Sequence, residues 1–114
     1  MILQCQSKVH LLRQYLSDSG WYIRQESVQR DGKFLYTVME VLWDPAAPRL
    51  TPGQCYACPA MLQENTPEVR EHFLWIYKEL HKLVSCRGDA ATEHMRQAHQ
   101  ELAPLYDSLK EETL

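Results

Sequence analysis

The sequence predicts an α+β fold: an N-terminal helix, an antiparallel β-hairpin with room for a short third strand, a Pro-rich loop, and a C-terminal helical hairpin. Three observations carry this. Val69, Phe73, Ile76, Leu80 and Leu83 recur at alternating four- and three-residue steps, the spacing of one apolar helical face. Ala91, Met95, Ala98, Leu102, Leu105 and Leu109 repeat that rhythm, so two matched helices follow one another. Upstream, two runs rich in β-branched and aromatic residues, 21–29 and 33–43, flank Asp31-Gly32. At 114 residues, the span 1–114 reads as a single domain.

The first element, 1–18, reads as a helix. Ile2, Cys5, Val9, Leu12 and Leu16 form its apolar stripe, Lys8, Arg13 and Gln14 lie off it, and Gly20 suits the stop. The hairpin, 21–43, turns at Asp31-Gly32. A two-residue turn pairs Arg30 with Lys33; a three-residue turn with a glycine bulge pairs Gln29 with Lys33. The second register gathers Trp21, Ile23, Leu35, Met39, Val41 and Trp43 on one face and sends Arg24, Glu26, Tyr36 and Glu40 to the other. In 44–65, Pro45, Pro48, Pro52 and Pro59 read as breakers of any regular element, with residues 54–57 as the place for a third strand.

The helical hairpin spans 66–112. Thr66 caps its first helix, Pro67 suits the first helical position, Glu68 favours the positive pole and Gly88 ends it. Asp89 caps the second helix, and Pro104 predicts a kink or break near 100–103.

Composition narrows the functional classes. With 45% hydrophobic and 24% charged residues the chain builds a core and is not disordered. A net charge of −3 argues against a dedicated nucleic-acid binder, whose footprint is usually basic. No signal-peptide pattern opens the sequence and no apolar run reaches membrane-spanning length, so the expected place is the cytoplasm, of a cell or of an infected host. There Cys5, Cys55, Cys58 and Cys86 are expected reduced.

The sharpest local motif is Cys55-Tyr56-Ala57-Cys58-Pro59. Two thiolates at this spacing can hold one zinc ion, so Cys55 and Cys58 are the candidate metal ligands. Cys86, His72, His81, His94 and His99 could complete the set, but none makes a second tight pair. His94 and His99 point about 140° apart on a helix, and His72 and His81 about 180° apart. A redox dithiol wants the helix start directly at the pair, and the capped helix begins some residues later. The plainest reading leaves both thiols in or near the core. No nucleophile elbow, His-Glu-x-x-His or glycine-rich phosphate loop occurs among the four glycines. The sequence therefore predicts no enzyme, no catalytic or cofactor-binding residue, and no cofactor other than zinc.

Surface residues say more. Trp75 lies on the charged face of its helix beside Lys78 and Lys82, and Tyr22 and Tyr36 lie on the mixed hairpin face. The function this predicts is a non-catalytic protein–protein interaction module that binds another protein through an exposed aromatic surface as a small inhibitor or adaptor, or that self-associates as a homodimer through its helical stripes. A zinc-stabilised module built on Cys55 and Cys58 is the alternative. Nucleic-acid binding through Lys8, His10 and Arg13 with Arg24, Arg30 and Lys33 ranks last because of the acidic total, and no membrane partner is expected.

Overall fold

The structure, a computed structural model, describes residues 1–87 and 92–113. Its first element corrects the sequence reading: Ile2–Cys5 is a strand, β1, and the helix α1 covers only Val9–Asp18. Lys8 separates them with φ 54, a left-handed conformation that no helix passes through. What makes 2–5 a strand lies far along the chain. β1 lies antiparallel on β3 (Phe34–Trp43), with Leu3 opposite Met39 and Cys5 opposite Thr37. The third strand is thus N-terminal, and the sheet order is β1-β3-β2 with β2 at Trp21–Asp31.

Neither expected hairpin register occurs. Asp31 pairs with Phe34, so the turn is Gly32-Lys33, with Gly32 at φ 62. Positive φ is then needed at the first central residue alone, which suits glycine there and leaves lysine unstrained. A bulge at Arg24, between the Ile23–Val41 and Gln25–Glu40 pairs, shifts the alternation by one. Ile23 faces the core before the bulge; Glu26 and Val28 face it afterwards, opposite buried Thr37, Met39 and Val41 of β3. Glu26, expected on the outer face, is therefore inside. Trp43, expected on the apolar face, is exposed and meets Trp21 edge to face.

The span 44–65 is not irregular throughout. It holds two short helices, α2 (Pro52–Tyr56) and α3 (Pro59–Glu64), and residues 54–57 form no strand. Pro52 and Pro59 sit at helix starts, where a missing N–H costs nothing. Thr51 and Gln54 cap α2 reciprocally. Gly53 has no room for a side chain: a Cβ there would collide with Glu101, whose carboxylate accepts from the Gly53 N–H at 2.9 Å.

The helical hairpin follows its prediction. α4 runs Pro67–Arg87, and Thr66 Oγ1 accepts from the Val69 N–H at 3.2 Å. Val69, Phe73 and Leu80 are buried along its predicted stripe. α5 runs Glu93–Thr113 and continues through Pro104, so of the expected kink or break the break does not occur. One backbone bond is forgone there, while Ala98 and Leu102 before the proline and Leu105 and Leu109 after it stay packed on the core. Thr92 caps α5; the expected stop Gly88 and cap Asp89 lie outside the described residues. α4 and α5 meet antiparallel, His81 against His99 (Nδ1 to Nε2, 2.9 Å) and Tyr77 stacked on Tyr106 at 4.2 Å.

At the centre sits Arg13, 1% exposed, although the sequence placed it off the apolar stripe. Its guanidinium donates through Nε and Nη2 to both oxygens of Glu26, which is 0% exposed. Nη1 donates to the carbonyls of Cys55 at 2.7 Å and Tyr56 at 3.0 Å. One side chain thereby joins α1, β2 and α2, through a bidentate fork that lysine cannot copy.

Two outcomes follow. Arg13→Ala strands a buried carboxylate and should cost about 3–5 kcal/mol, read as a fall in the urea midpoint, and Arg13→Lys should recover less than half of it. Wild-type stability in Arg13→Ala would refute the central role of the pair. Second, burial, then Arg13, holds the His72 pKa down to about 4. The unfolded chain, with its ordinary value of 6.5, takes up the proton first. Stability is therefore complete above about pH 6.5 and drains away toward pH 4, by about 3 kcal/mol at 1.36 kcal/mol per pKa unit. Burial lowers His10 and His99 in the same direction. Urea midpoints from pH 7 to pH 4 should fall less steeply in His72→Phe than in the wild type.

Candidate functional site

Where β1 gives way to α1, residues 6–8 form one wall of a groove. Cys5 Sγ donates to the Ser7 carbonyl at 3.2 Å, and Lys8 turns the chain in its left-handed conformation. α4 supplies the facing wall through His72 and Trp75, three apart and so on one side of the helix. Two cavities share Gln6, Ser7, His72 and Trp75. The first, about 270 Å³, reaches inward to His10, Tyr56 and Met95 and carries Lys8 on its lining. The second, about 500 Å³, opens toward the hairpin turn, where Lys33 and Phe34 line it.

The chemistry of the groove is mixed. Trp75 is 61% exposed and Phe34 59%, so two aromatic faces stand uncovered. His72 is 7% exposed, and its Nε2 has no hydrogen-bond partner among the described residues. A buried nitrogen without a partner carries a desolvation cost that a ligand atom can relieve. With its pKa at about 4 the ring is neutral near pH 7, one nitrogen a donor and the other an acceptor. His10 lies flat on Tyr56, centroids 4.4 Å apart and planes 9° apart, which stiffens the inner end. Glu71, on the second cavity, is ion-paired with Arg30, and Glu79 lines the first. Such a groove suits a flat heterocyclic ligand with anionic groups toward the lysines.

The residues singled out from sequence disperse. Trp75 is on the groove; Lys78 and Lys82 are exposed on α4 away from both cavities. Tyr22 lines a separate hollow of about 130 Å³ with Trp21 and Arg24, and Tyr36 is half-buried in β3 opposite Gln29. Of the basic set, Lys8, His10, Arg13 and Lys33 line the groove, and Arg30 stands beside it on Glu71. Cys55 and Cys58 are buried; burial pushes the Cys55 thiol up to about 11 and raises Cys58 as well. Both are thiols rather than thiolates near neutral pH, and among the described residues no three His, Cys, Asp or Glu side chains are grouped to hold a metal ion. The zinc reading thus gains no support. His72 entered the sequence reading as a spare zinc ligand; its place three residues before Trp75 was the available signal.

Comparison with known proteins identifies the family. Residues 1–111 match the model of the TrmK family, tRNA (adenine(22)-N(1))-methyltransferase. No curated protein matches. Among solved structures, the Bacillus subtilis m1A22 tRNA methyltransferase TrmK superposes with a TM-score of 0.63 at 20% identity, over 96% of this chain and 49% of that one. A Streptococcus pneumoniae protein, described as a candidate tRNA (m1A22) methyltransferase in complex with S-adenosyl-L-methionine, gives 0.61 at 20% identity, over 96% and 45%. An uncharacterised Listeria monocytogenes protein gives 0.58 at 21%, over 96% and 49%. The chain spans about half the length of these structures, and at such identities they show the fold.

The family match overturns the expectation of a non-catalytic inhibitor or adaptor, because the family is one of enzymes. It also overturns the ranking of nucleic acid as the last choice, drawn from the acidic total, because the family is named for a tRNA substrate, and it lends the protein partner and the homodimer no support. Net charge averages over a whole surface and is silent on where Lys8 and Lys33 stand. The Streptococcus pneumoniae structure is of a complex with S-adenosyl-L-methionine, a ligand the sequence reading did not name. No helix of the described residues is long and apolar enough to cross a membrane. The fold, the groove and the match over 1–111 together lead to one identification: the chain belongs to the TrmK family of tRNA (adenine(22)-N(1))-methyltransferases.

Proposed function

We propose that this chain serves a methyltransferase acting on adenine N1 in tRNA, with S-adenosyl-L-methionine as methyl donor, in the cytoplasm. The observation that carries the reading is the family match across 1–111. The shared fold over 96% of the chain supports it. One continuous core, from Val9 of α1 to Leu102 of α5, supports treating 1–114 as one folding unit.

The donor itself does not fit the described residues. A nucleotide-like cofactor is commonly cradled by glycines that let the backbone come close to it. Here each described glycine is committed elsewhere. Gly20 lies under the Trp43 ring, Gly32 makes the hairpin turn, and Gly53 is filled by Glu101. No donor contact falls to these glycines. Its contribution, on this reading, lies with the RNA. Lys8 and Lys33 bring positive charge to one groove, and Trp75 and Phe34 offer stacking faces between them.

Cells deleted for this gene should yield tRNA lacking 1-methyladenosine at position 22, measured by nucleoside mass spectrometry and restored by the gene. Unchanged 1-methyladenosine would overturn the reading. In addition, the chain should bind a labelled tRNA transcript with an affinity that falls as salt rises from 50 to 200 mM, since phosphate contacts release counterions.

A further inference from the structure

We propose that the cavity of about 270 Å³ between residues 6–8 and α4 receives one unstacked base of a single RNA strand, with Trp75 against its face and His72 Nε2 on its edge. This rests on the tRNA reading above and adds to it a site and a mode of recognition.

Three independent features converge. The first is His72: a nitrogen buried in the wall of both cavities and lacking a partner among the described residues is satisfied by the hydrogen-bonding edge of a base. The second is aromatic. A tryptophan 61% exposed on a rigid helix is a stacking platform, and Phe34, 59% exposed on the adjoining cavity, offers a second for the neighbouring base. The third is charge. Lys8 and Lys33 line one cavity each, while Arg30 neutralises Glu71. Glu79 lines the first cavity, which steers phosphates away from its depth and toward the Lys33 side. A duplex keeps its bases stacked and offers the cavity nothing; a splayed single strand fills it.

The test uses the 114-residue chain, a fluorescein-labelled ten-nucleotide oligoadenylate, and a duplex of equal length at the same low salt. Binding of the single strand should quench tryptophan emission. Trp75→Ala should weaken single-strand affinity roughly 5- to 150-fold, with Trp75→Phe keeping most of it. His72→Phe, verified as folded by its melting curve, should weaken it roughly 2- to 12-fold. Lys78→Ala, on α4 but off both cavities, should change little. Duplex affinity should be insensitive to Trp75→Ala and His72→Phe. The proposal is overturned if Trp75→Ala leaves single-strand binding intact, or lowers single-strand and duplex binding alike, since the contact is then electrostatic only. Failure of the wild-type chain to bind the oligonucleotide, alongside loss of 1-methyladenosine in the gene deletion, overturns the pocket and leaves the tRNA reading standing. Intact 1-methyladenosine in the deletion overturns the tRNA reading itself.

Discussion

A buried guanidinium and a buried carboxylate, Arg13 and Glu26, hold this structure in one arrangement. Neither tolerates isolation from water, so each demands the other. The demand fixes the distance between α1 and β2. The Nη1 donors of Arg13 then fix α2, because the carbonyls of Cys55 and Tyr56 satisfy them. Met61 of α3 closes over the same group, its sulfur 3.6 Å from Nη2. Apolar burial supplies much of the driving force, but it is non-directional. The ion pair supplies the direction, and with it the position of Tyr56, on which His10 lies at the inner end of the groove.

α4 links that centre to the surface. One of its sides, Val69, Phe73 and Leu80, belongs to the core; another carries His72 and Trp75 to the groove. A helix committed to packing along its length cannot shift its outer side chains independently. The groove is therefore built on a rigid element and faced by a turn, 6–8, which is held by β1 on one side and α1 on the other. The contact with α5, through Tyr77, His81, His99 and Tyr106, braces α4 on a further side.

How much of this was legible in the sequence depended on how local the cause was. α4 was readable because its cap, its first-turn proline and its stripe all lie within it. The strand β1 was misread because Ile2 and Cys5 happen to continue the helical spacing of Val9, and because its partner strand lies more than thirty residues away. Pro52 and Pro59 were taken for breakers when they open helices, at the first helical position where a missing N–H costs nothing. A single bulged residue, Arg24, sent Glu26 to the opposite face from the one expected, and so concealed the ion pair. Of the groove, Trp75 was legible as an uncovered aromatic, and His72 was not legible as its companion. The family's tRNA substrate was hidden by a charge balance that sums the whole surface.

Lys8 carries a last consequence. Its backbone sits where glycine is most comfortable, at a conformational cost of about 1 kcal/mol for any other residue. Glycine there would ease the turn and remove an amine from the mouth of the groove. Comfort of the main chain and positive charge in the groove thus pull this position toward different residues, and lysine marks the side on which the compromise has settled.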